Sequence, residues 1–127
     1  MIKTNSKSVS VEVTPSYLPS RSDLSKPVFF FSYSIKIKNL SAETIQLRSR
    51  YWNITDGNGN VEEIRGPGVI GKQPFIKSGD MFEYTSYCPL PTDFGVMHGH
   101  FEMVSDSGKK FKAKIDPFRL SIPHSVN

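Results

Sequence analysis

In the run VFFFSYSIKIKN, Phe29, Phe31, Tyr33, Ile35 and Ile37 are apolar, while Ser32, Ser34, Lys36 and Lys38 are polar. Successive side chains of an extended chain point to opposite faces, so this alternation predicts a strand with one buried and one wet side. The same pattern sets Val9, Val11 and Val13 on one face of VSVEV, and Phe111, Ala113 and Ile115 against Lys110, Lys112 and Lys114 in KKFKAKI. The lysines read as a solvated face that protects an edge strand from aggregation.

Turn chemistry separates these runs. TDGNGNV (55–61) holds both Asp-Gly and Asn-Gly, the dipeptides that supply positive φ in tight hairpins, and SGD (78–80) and DSGK (106–109) are further turns. Strands are predicted near 8–17, 28–39, 44–55, 60–65, 80–87, 96–105, 109–115 and 118–122. No helix-period stretch runs uninterrupted by Pro or Gly. The expected fold is therefore all-β, an antiparallel sandwich of immunoglobulin or fibronectin type III kind with about 7–8 strands.

The third predicted strand breaks the simple alternation. Arg48, Arg50, Trp52 and Ile54 share one face and Leu47 and Tyr51 the other, which requires either a bulge or burial on both sides. The first seven residues and the tail HSVN read as loose ends.

Length and composition narrow the picture. The chain has 127 residues, enough for one domain, here spanning 3–127, that buries roughly two-thirds of its unfolded surface. Its single cysteine, Cys88, rules out an intramolecular disulfide. No signal peptide and no membrane span is read, so the expected location is cytoplasmic, without membrane insertion. The formal charge of +4 is spread along the chain, and such a balance does not call for nucleic acid.

RGPGVIGKQP (65–74) is the stretch closest to a chemical signature. Gly66, Gly68 and Gly71 have the G-x-G-x-x-G spacing, and Gly66, Gly71 and Lys72 nearly complete a P-loop. Both motifs need a helix after the last glycine, and Gln73, Pro74 and the following SGD turn prevent one. Pro67 also removes an amide from the cradle. Two readings remain: a nest of amides, flanked by Arg65 and Lys72, that holds an anion, or positive-φ glycines in an irregular connection.

The segments RYWNITD (50–56), VEEIRGPGVIGKQP (61–74), FEYTSYCPL (82–90), GVMHGHFEMV (95–104) and DPFRLSIP (116–123) together resemble the ApaG domain family. The resemblance extends over nearly the whole chain from about residue 3. It implies a small fibronectin-type sandwich linked to magnesium and cobalt resistance and to a gene neighbourhood of diadenosine tetraphosphate hydrolysis. Similar domains are attached to F-box proteins and to a DNA polymerase-interacting protein, which implies protein or ligand recognition. The glycine loop is that family's motif, proposed there as a pyrophosphate site, and Gly66, Gly68 and Gly71 match it.

Other candidates are weighed from residue type and position. His98 and His100 stand two apart on a strand and project from one face, a workable pair of metal ligands, with Glu102 or His124 as a third. Cys88 has no His or Asp close in sequence to activate it and reads as a core thiol, and adjacent Glu62 and Glu63 would point to opposite faces. No catalytic arrangement and no cofactor motif is found. Arg50, Trp52, Arg65, Tyr84 and Tyr87 either converge on a pocket with cationic and stacking walls, or the aromatics are core and the arginines reach outward. The expected function is a non-enzymatic binding module with a protein partner, in which Val69 and Ile70 offer an apolar patch beside the 65–73 loop. The alternative is a binder of pyrophosphate or nucleotide anions. A homodimer joined through unpaired strand edges is compatible with this fold.

Overall fold

The computed structural model describes residues 2–5, 8–19, 25 and 28–123. Among the described residues nine strands follow in order: β1 (Ile2–Asn5), β2 (Val9–Tyr17), β3 (Phe29–Asn39), β4 (Ile45–Asp56), β5 (Val61–Pro67), β6 (Phe75–Ile76), β7 (Met81–Leu90), β8 (Phe94–Ser105) and β9 (Lys110–Ser121). They form two antiparallel sheets, ordered β1-β2-β3-β7 and β5-β4-β8-β9, with β6 also paired to β4. The expected all-β sandwich is what the chain forms. No helix among the described residues is long and apolar enough to cross a membrane.

Alternation decides which faces meet. Phe31, Tyr33, Ile35 and Ile37 of β3 and Val9, Val11 and Val13 of β2 are buried against Trp52, Met97, Phe101, Met103, Ile115, Phe118 and Leu120 of the facing sheet. Burial of this apolar surface is the main term that stabilises the fold. Trp52 lies at its centre, edge-on to Tyr33, Phe101 and Phe118 with ring centroids 5.3, 6.4 and 5.8 Å away.

Three expectations are corrected. Residues 2–5, read as a loose end, form β1 on the outer edge of β2. The two strands expected at 109–115 and 118–122 are one, β9, which runs through Pro117. Proline is tolerated there because it lies in a bulge, where Asp116 and Pro117 together oppose His98 of β8. The two-residue strand β6 was not expected either, and the addition of β1 makes Trp52 part of the fourth strand rather than the third. The tail HSVN lies outside the described residues.

Asn39, fully buried at the end of β3, fixes β6 in place. Its Nδ2 donates to the carbonyls of Ile76 (2.8 Å) and Glu43 (2.7 Å), while its Oδ1 accepts from the Ser41 amide (2.9 Å) and hydroxyl (2.6 Å). A buried amide satisfied on both ends holds its segment in one arrangement.

Candidate functional site

The irregularity of the Trp52 strand proves to be a bulge. Against β8, Leu47 pairs with Met103 and Ser49 with Glu102, so Arg48 is an extra residue. Leu47 before the bulge and Trp52 and Ile54 after it are thereby all buried. The Arg48 carbonyl accepts the Gly68 amide and the Gln73 side-chain amide, each at 2.8 Å. The glycine segment is thus tied at both ends to one carbonyl of β4.

Between these ties the chain makes a tight hairpin. The Val69 amide donates to the Lys72 carbonyl (2.8 Å) and the Lys72 amide to the Val69 carbonyl (2.9 Å). The two central residues, Ile70 and Gly71, have φ of +43° and +76°, as a type I′ turn requires. Ile70 is the sole non-glycine with positive φ among the described residues. At Gly68, with φ +61°, a Cβ would collide with the Lys72 carbonyl. Val69 is fully buried, so of the expected apolar patch only Ile70, 53% exposed, faces solvent.

Arg50 completes this corner. It shares the inward face of β4 with Trp52 and lies directly opposite Gly66 of β5. Its Nη1 donates to the carbonyls of Gly68 (3.0 Å) and Pro67 (3.2 Å). A recess of about 190 Å³ opens between the sheets here, with Arg50, Trp52, Tyr33 and Tyr84 as walls. Val69, Ile70 and Gly71 of the hairpin, and Ser86 of β7, complete its lining. Trp52 Nε1 and Tyr84 Oη are buried with no hydrogen-bond partner. Burial raises the phenol pKa of Tyr33 above the ordinary value, against the opposing influence of the neighbouring Ser86 side chain. Burial raises that of Tyr84 still more strongly, while the Arg50 charge acts on both phenols in the opposite direction.

The expected pocket wall of Arg50, Trp52 and Tyr84 is therefore assembled, with two aromatic residues in the core and one cation reaching between the sheets. Tyr33 and Ser86 belong to it as well and were not foreseen. The available signal was a phenol on the otherwise apolar face of β3, since a buried tyrosine hydroxyl needs a partner.

The remaining candidates separate. Of the loop amides, those of Gly68, Val69 and Lys72 are engaged within the protein, whereas those of Ile70 and Gly71 make no backbone hydrogen bond among the described residues. Lys72 is exposed. Arg65 lies on the outer face of the five-stranded sheet, its guanidinium 4.3 Å above the Tyr51 ring and 3.6 Å from Glu63. The Tyr51 hydroxyl donates to Glu63 at 2.6 Å.

His98 and His100 do share that outer face, opposite Asn53 and Tyr51. His100 stacks on Tyr51 at 5.1 Å, and its Nε2 lies 4.0 Å from Glu102. Partial burial, with Lys112 and Arg65 nearby, lowers its pKa despite the Glu102 charge. Glu102 itself accepts a 2.7 Å bond from the Ser49 hydroxyl. Among the described residues no three His, Cys, Asp or Glu side chains gather as a metal site. Cys88 is buried, and desolvation, with Glu62 nearby, pushes its thiol up to about 12.

Comparison with known proteins places this chain among relatives. The ApaG domain matches residues 19–105. The chain is 47% identical over 123 residues to Protein ApaG of Brucella anthropi, an alignment covering 97% of this chain and 95% of the relative. Protein ApaG of a Methylobacterium species is 44% identical over 124 residues, covering 98% and 95%. A crystal structure of a Bordetella pertussis protein described as ApaA superposes with a TM-score of 0.89 at 44% identity, covering 92% of this chain and 95% of that one.

Proposed function

We propose that this chain, which belongs to the ApaG domain family, is a non-enzymatic recognition module. Its working surface is the flank of the sandwich where the 68–72 hairpin meets β7, and its partner is a protein. The observation that carries this reading is Ile70. An exposed β-branched side chain with φ of +43° is held in a conformation that disfavours it, by a turn whose preceding residue is locked in the core. Strain of this kind persists where the surroundings over-determine it, and it clusters at functional positions. Asn would suit the turn better, so the isoleucine is explained by what it presents to a partner rather than by the fold.

In this reading the family's link to magnesium and cobalt runs through the partner protein. The test is photocrosslinking in cells from a reactive amino acid placed at Ile70, with Val61, an equally exposed apolar residue on β5, as the control. A discrete adduct formed from position 70, absent from position 61 and competed by the unmodified protein, is expected. Equal labelling from both positions would overturn the reading.

A second reading has one observation in its favour. The amides of Ile70 and Gly71 make no backbone hydrogen bond and stand beside exposed Lys72, so the turn could hold a phosphate-bearing anion. Saturable shifts of these two amides with pyrophosphate, weakened by Lys72→Ala and by salt, would establish it.

A further inference from the structure

We propose that the recess beneath Ile70 is a carboxylate site, and that the group it takes is an acidic side chain or chain terminus of the partner. The polar groups assembled there determine the chemistry. Trp52 Nε1 can only donate, the Arg50 guanidinium can only donate, and Tyr84 Oη has a proton to give. The first and last of these are buried without a partner, in residues that are 2% and 6% exposed. Leaving such donors unpaired costs stability, and natural proteins leave few of them so.

Two further facts narrow the ligand. A volume of about 190 Å³ lies below the range of whole-ligand pockets, roughly 300–1,000 Å³, so the recess suits a single functional group. The cationic side chain in its wall is Arg50 alone. One guanidinium balances a carboxylate, and its planar fork matches that group's two oxygens. A phosphate dianion in the same place would keep an uncompensated buried charge. Arg50, Tyr33 and Tyr84 line the same recess, and the positive charge of Arg50 acts on both phenols.

This inference rests on the flank being a recognition surface, and the experiment separates the two. The chain contains one tryptophan, so its indole N–H resonance reports on the recess without ambiguity. At constant ionic strength and neutral pH the probes are acetate, inorganic phosphate, a short end-capped peptide with one glutamate, and the same peptide with glutamine. The expected result is a saturable indole shift with acetate and with the glutamate peptide, none with the glutamine peptide, and a weaker response to phosphate.

Tyr84→Phe, which keeps the ring in place, should weaken the acetate response by roughly tenfold. If acetate and both peptides leave the indole unmoved at tens of millimolar, or if phosphate is preferred, the carboxylate site is overturned. An indole shift in Tyr84→Phe indistinguishable from that of the unaltered protein also overturns it. Peptide shifts at Ile70 that spare the indole would keep the flank and discard the carboxylate anchor. Acetate binding without peptide binding would keep the carboxylate site, with free small acids as its source, and discard the protein-docking flank.

Discussion

Gly66 lies directly across the β4–β5 ladder from Arg50, and a Cβ on Gly66 would sit 3.0 Å from Nη1 of that arginine. The missing side chain is the space in which the guanidinium turns toward the hairpin carbonyls. The three glycines of the loop thus do different work. Gly66 makes room for a cation, Gly68 passes its backbone close against Lys72, and Gly71 supplies the second positive φ of a hairpin.

Alanine substitutions should rank accordingly. Gly68→Ala meets backbone that cannot yield and should cost about 3 kcal/mol or more. Gly66→Ala displaces the end of a flexible side chain and should cost about 1 kcal/mol. Gly71 has open space around its Cα, so Gly71→Asn, which suits positive φ, should be nearly neutral. Urea unfolding of the three variants provides the ordering.

Ile70→Asn creates the Asn-Gly pair that type I′ hairpins favour, and it should raise stability by about 1 kcal/mol. The same change should abolish the crosslink from this flank when the probe is moved to the neighbouring, exposed Lys72. A gain in stability with loss of binding is the signature of a strained residue kept for function.

Tyr84→Phe removes a buried hydroxyl that has no partner. The unliganded variant should be as stable as the unaltered protein or more stable by about 1 kcal/mol, unlike a typical core substitution. Thermal unfolding in a buffer free of carboxylates measures it.

His100 should couple stability to pH. Its folded pKa is lowered from 6.5, so the unfolded chain takes up the proton first. Its contribution is therefore intact above that value and is lost as pH falls from it through the folded pKa. His100→Gln should flatten the stability profile in that window, read from denaturation midpoints at several pH values.

Cys88, with its thiol raised to about 12 and its side chain buried, should resist alkylation at pH 8 in the folded protein. Labelling should appear only under unfolding conditions, which makes its rate a measure of opening of the β3–β7 half of the sandwich.

Where alternation is long, as in β3, the sequence alone shows strand, face and core together. Its failures have separate causes. IKTN carries one apolar residue, and Phe75–Ile76 is too short to display any period, so β1 and β6 become visible only through their partners, Val9–Tyr17 and Ile45–Gln46. Pro117 reads as an interruption until the pairing with β8 shows it in a bulge opposite His98. Arg50, Trp52 and Tyr84 could be nominated from residue type, yet their convergence depends on where a one-residue bulge falls. That position follows from pairing across β8 and not from local pattern. Arg65 stands one position from Gly66 in sequence and still points to the other side of the sheet, because adjacent strand residues do.

The extra residue at Arg48 has a genetic consequence. With that codon deleted, Leu47, Arg50, Trp52 and Ile54 would still alternate correctly with Ser49, Tyr51 and Asn53, so the shortened strand remains compatible with the same sandwich. What disappears is the carbonyl from which Gly68 and Gln73 hang. Folding of the sandwich and anchoring of the 68–72 hairpin therefore impose separable demands on this stretch, and a lineage that kept the first while losing the second would show it as a gap of one residue at this point.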